Sequence, residues 1–130
     1  MNSILAFVLA SVAAHPAEPA VPSDAASHQI AVIGERLATW RGKVKSRDGE
    51  LQCDIKTSTG DEAIDKIGCD ALVSCTMDIK PQLDATAALD LPRKKRNQRM
   101  TALMEGQGPC ILQRREAAID ALAQKRADSL

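Results

Sequence analysis

Four cysteines, Cys53, Cys69, Cys75 and Cys110, are the residues in this chain best placed to do chemistry. Thiols at such positions can form disulfides, hold a metal or cycle as a redox pair. No Cys-x-x-Cys occurs, which argues against a thioredoxin-like centre. A structural zinc would need all four thiols or help from histidine. The only histidines, His15 and His28, fall within or beside a proline-rich stretch ahead of the expected core. No metal and no cofactor are therefore expected, and disulfides remain, with three connectivities open in principle.

Acid–base and nucleophilic chemistry finds little else. A Ser-His-Asp or Cys-His arrangement lacks a histidine within the core. Asp61, Glu62, Asp65, Asp70 and Asp78 offer carboxylates for a small hydrolase, but they fall mostly on the polar side of one helical pattern. Gly60, Gly106 and Gly108 form no phosphate loop. The chain reads as a non-enzymatic binding or interaction module, with a carboxylate hydrolase as the alternative. Its one charged surface feature is Arg93, Lys94, Lys95, Arg96 and Arg99. This cluster suits an anionic envelope lipid or an acidic protein face; otherwise it is a solvated helix face balanced by Asp84 and Asp90.

Composition narrows the classes further. The 130 residues carry 17 basic and 17 acidic side chains. That balance excludes a nucleic-acid binder held by bulk positive potential. Phe7 is the one Phe, Tyr is absent and Trp40 stands alone, so no stacking platform for bases is available.

The N-terminal run Ile4–Ala14 is apolar apart from Ser11 and too short to span a bilayer core of about 30 Å. With small residues at its end, it reads as a signal peptide over 1–14, cleaved after Ala14, Ala13 or Ala10. Pro16, Pro19 and Pro22 make 15–23 an extended tether. Residues 24–130 then form a single small α+β domain in the periplasm or outside the cell, with no membrane span in the mature chain. That oxidising setting favours disulfides.

The elements that must carry these residues follow from periodicity. Ser23 and Asp24 open a first helix, with Ile30, Ile33, Leu37 and Trp40 on one face. Asp48-Gly49 is a type I′ signal joining two strands over 41–56. The two-residue loop pairs Arg47 with Glu50, Ser46 with Leu51, Val44 with Cys53 and Gly42 with Ile55. Val44, Leu51, Cys53 and Ile55 then share the apolar face. Thr59 and Glu62 have capping-box spacing for a second helix to Cys75, with Ile64, Ile67, Ala71, Leu72 and Cys75 in its stripe and Gly68 on its packing side. Pro81 and Pro92 open two short helices. A last helix begins near Cys110, with Ile111, Leu112, Ala118, Ile119 and Leu122 facing inward. A hairpin lying on a helix favours Cys53 with Cys69 and leaves Cys75 for Cys110, while Cys53 with Cys75 stays open.

Residues 49–69 carry a resemblance. Gly49, Cys53, Ile55, Ser58, Gly60, Ile64, Asp65 and Cys69 match the pattern of the cysteine-containing branch of TonB C-terminal-like domains, and the segment resembles their strand-turn-helix core. The resemblance implies a Cys53–Cys69 bond and a turn held by Ser58 and Asp65. It also implies an alternative function, an energy-transducer subunit anchored in the inner membrane by an uncleaved N-terminus. The whole chain is otherwise similar to small exported proteins of Gram-negative bacteria with this hairpin-helix core.

Overall fold

A computed structural model describes residues 22–130. The leader at 1–14 and the tether as far as residue 21 lie outside the described residues. Seven elements follow in order: α1 (Asp24–Leu37), β1 (Arg41–Arg47), β2 (Glu50–Thr57), α2 (Glu62–Asp78), α3 (Lys80–Ala87), α4 (Arg93–Glu105) and α5 (Gly108–Asp128). The fold is α+β and braced by two disulfides, as the residue pattern predicts.

Helix α1 starts where Ser23 places its Oγ to accept the Ala26 amide at 3.2 Å. The hairpin turns on Asp48 and Gly49, with φ of 52° and 81°. Its register is the one the two-residue loop dictates, Val44 opposite Cys53 and Gly42 opposite Ile55, with an irregularity at Arg41/Gly42. Helix α2 lies on the ribbon, and α5 packs across α1 and α2. The core is Ile33, Leu37, Trp40, Ile64, Ile67 and Ala123, with Cys53 and Cys69 packed against it. This is an aliphatic interior with one aromatic residue.

Several details depart from the sequence expectations. Helix α1 ends at Leu37, so Trp40 reaches the core from the following turn instead of from the helical face. There the indole lies against two glycines. A Cβ on Gly42 would stand 2.3 Å from the ring and one on Gly68 2.6 Å from it. Gly68 is thus on the packing side, but it makes room for the indole rather than for the ribbon backbone. The α2 cap is Asp61, not Thr59: its carboxylate accepts the amides of Ala63 at 3.1 Å and Ile64 at 3.3 Å. A carboxylate one residue before the helix reaches both amides directly, which leaves the Thr59 hydroxyl to brace the preceding turn.

Ile55 and Leu112 are 41% and 60% exposed although their patterns point inward. Leu112 lies in the first turns of α5 between Cys110 and Arg114, which hold α2, and its own side chain points away from that contact. Ala123, absent from the expected stripe, is fully buried instead.

Candidate functional site: a basic helical arm beside an apolar groove

The two disulfides divide the chain's labour. Cys53–Cys69 bonds the ribbon to α2, and Cys75–Cys110 joins the end of α2 to the start of α5. No cysteine is free. The alternative Cys53–Cys75 pairing is overturned: Cys69 stands 5.6 Å from Cys53 by Cα, while Cys75 stands 6.0 Å from Cys110. The Cys75–Cys110 bond encloses α3 and α4 at their base. These two helices pack on each other as a hairpin, α3 continues from α2, and neither buries a residue. They form an arm on the body of the fold.

The turn into α2 is held by Ser58, Thr59 and Asp65. The Ser58 hydroxyl donates to Asp65, and the Thr59 amide and hydroxyl donate to its other oxygen at 2.8 and 2.7 Å. These donors, Ser58 first, hold the Asp65 carboxyl below its ordinary pKa. Asp65 is only 9% exposed, so its expected place on the polar side of α2 is corrected. Three hydrogen bonds to one carboxylate offset its removal from water.

The other candidate carboxylates are also engaged. Burial works against ionisation of Asp61, but the Arg126 guanidinium and the Ile64 amide outweigh it and hold the pKa low. Arg126 reaches both Asp61 oxygens, at 2.9 and 2.7 Å, and so ties α5 to the start of α2. Asp70 pairs with Lys66, and Asp78 with Arg114 at 2.6 Å. Glu62 opens α2 in its first turn, where negative charge suits the helix dipole. Each of these groups has a structural task; Asp70 and Asp78 border one open depression, where Arg114 pairs with Asp78.

The basic cluster stands differently. Among the described residues, Arg93, Lys94, Lys95, Arg96 and Arg99 make no ion pair. The balance expected from Asp84 and Asp90 is not formed, because Asp84 is held by Lys80 at 2.7 Å. The first turn of α4 has no acid, and its cap, Pro92, offers no side-chain hydrogen bond. Four cations at the positive end of a helix dipole oppose the helix, by about 0.3–1 kcal/mol each. Leu89, 39% exposed at the tip of the arm, adds an apolar side chain beside them.

Sequence reasoning missed a groove of about 940 Å³ between the ribbon and the arm. Val44 and Leu51 line it from the ribbon, and Leu72 from α2. Leu83 of α3, Met100 and Met104 of α4 and Ile111 of α5 complete the apolar wall. Lys43, Lys80, Asp84 and Glu105 lie at its polar margin. Its signal in the sequence was the thin apolar side of α4, Met100, Leu103 and Met104, too sparse to close a core. No described helix is long and apolar enough to cross a membrane. Among the described residues no group of three or more His, Cys, Asp and Glu is arranged to hold a metal. No family model, curated protein or solved structure matches the chain.

Proposed function

We propose that the protein is a non-enzymatic module of the cell envelope, exported to an oxidising compartment, that docks on an anionic lipid surface through the α3–α4 arm. The observation that carries this is the row of five basic side chains on α4 without acidic partners. Juxtaposed cations near an anionic bilayer contribute about 1 kcal/mol each. Leu89 beside them favours a lipid interface over an acidic protein face, since an apolar tip within a basic patch is the pattern of interfacial binding. The paired cysteines support the oxidising compartment.

The test is co-sedimentation with vesicles of phosphatidylglycerol and phosphatidylcholine, against phosphatidylcholine alone. Binding is expected to need the anionic lipid, to weaken as salt rises, and to drop at least a hundredfold when all five cations become Gln. Equal partition to both vesicle types, or no loss in the Gln variant, refutes the proposal. Capture of an acidic protein without any vesicle binding transfers the arm to the protein-partner reading.

A carboxylate hydrolase is favoured by two placements, Asp84 with Glu105 at the groove and Asp70 with Asp78 at a more open depression, where Lys66 and Arg114 already pair with them. Asp84 is bonded to Lys80 and its side chain is 65% exposed, which suits a solvated ion pair better than a general acid. The TonB-like alternative depends on residues 1–14 remaining as an anchor, and the N-terminal mass of the exported protein separates it from the cleaved form.

A further inference from the structure

We propose that the groove takes one acyl chain of a phosphate-bearing lipid, with Arg96, one helical turn beyond its apolar wall, receiving the phosphate. This rests on the lipid-docking reading and specifies which part of the lipid goes where. At about 940 Å³ the groove is within the usual size of small-molecule sites, roughly 300–1,000 Å³. Its wall is aliphatic and thioether, with no aromatic residue, and it is contributed by the ribbon and four helix segments. Its lining is mostly apolar with a few charged groups at the margin, the make-up of a small-molecule site.

The charge along α4 gives the groove a direction. Residues four apart stand above one another on a helix, so half-buried Arg96, just outside the groove lining, continues the row of Met100 and Met104, whereas Arg93 borders a separate depression with Lys94 and Asn97. From Arg96 to Met104 the helix rises about 12 Å. The basic end of the wall is thus one turn from the apolar part, and the acids are elsewhere: Glu105 is at the far end, and Asp84 is neutralised by Lys80. A ligand with an anionic head and an apolar tail fits this gradient in one orientation. Met100 and Met104 are unbranched and polarizable, so they can adjust to a flexible chain. Arg93, Lys94, Lys95 and Arg99 are left to face the surrounding headgroups.

The test uses the oxidised protein and a monoacyl phosphate lipid below its micelle concentration, titrated calorimetrically, with the matching neutral monoacylglycerol and inorganic phosphate as controls. Saturable 1:1 binding of the monoacyl phosphate is expected, at least tenfold tighter than either control. Leu83→Gln is expected to weaken it at least tenfold, and Arg96→Gln to weaken it and flatten its salt dependence. Leu83 is on a helix with no buried residue, and Met100→Gln provides a second variant; intact folding is read from the emission of Trp40. Binding unaffected by both groove variants, or inorganic phosphate binding as tightly as the lipid, overturns the proposal. Vesicle binding that persists while soluble lipid fails to bind overturns the groove alone. Soluble-lipid binding without vesicle binding overturns the surface reading and leaves the groove standing.

Discussion

Two glycines in helix interiors allow the packing around Trp40 to be tested by one chemical change made twice. Gly34 in α1 has no heavy atom within 4 Å of the position a Cβ would take. Gly34→Ala therefore gains helix propensity without obstruction, about 0.8–1 kcal/mol. At Gly68 in α2 the same methyl would stand 2.6 Å from Cδ2 and 2.7 Å from Cε2 of Trp40. The indole is 4% exposed and confined again at Gly42, so it has little room to retreat. Overpacking of a filled core costs about 1–3 kcal/mol, so the propensity gain is cancelled or reversed and the net loss reaches about 2 kcal/mol. For a domain of this size 1 kcal/mol moves Tm by about 4 °C. Gly34→Ala should raise Tm by about 4 °C, and Gly68→Ala should lower it by up to about 8 °C with a change in Trp emission. Circular dichroism and fluorescence melts measure both. An equal rise in the two variants would refute the close fit of the indole against α2.

Replacing Cys75 and Cys110 together with Ala should lower stability in urea by about 4 kcal/mol, because the bond spans 35 residues. The shorter Cys53–Cys69 span of 16 predicts about 3 kcal/mol for the corresponding pair, and a reversed order would count against loop closure as the cause. Lys56 and then Lys45, at 2.6 and 3.0 Å, hold Asp54 down to about 2, from an ordinary 3.8. Asp61 and Asp65 are also lowered, so the stabilisation from all three is present above about pH 4 and is lost as pH falls through their folded values. Carboxyl titration by NMR should find Asp54 protonating near pH 2, and an ordinary midpoint would contradict its pairing. Asp61→Asn should be less stable at neutral pH yet lose less between pH 4 and pH 2.

Local rules carried most of the architecture into the sequence. Asp48-Gly49 permits one turn type, and that turn sets the pairs of the ribbon from Arg47–Glu50 to Gly42–Ile55. Proline marked the starts of α3 and α4, and Gly106 the end of α4, for equally local reasons. Contacts distant in sequence were harder to read. Asp61 caps α2 and also meets Arg126, a partner 65 residues away that no helical period reveals. Trp40 has the spacing of the α1 stripe, but the pocket between Gly42 and Gly68 draws it out of the helix. The site divided in the same way. The cations of α4 are visible as letters, whereas their lack of partners depends on Lys80 taking Asp84. The groove joins residues from six elements, so no window of sequence contains it.

The solitary indole has a practical consequence. With Tyr absent and Trp40 shut inside the joint of ribbon and helices, the intrinsic ultraviolet emission of the described domain comes from a single interior point. The Arg115 guanidinium, 5.4 Å from its centroid, is the nearby charge able to tune that emission. Helices α3 and α4 contain no chromophore at all. A dye placed on the arm would therefore report there without spectral interference, while the native signal keeps watch over the interior.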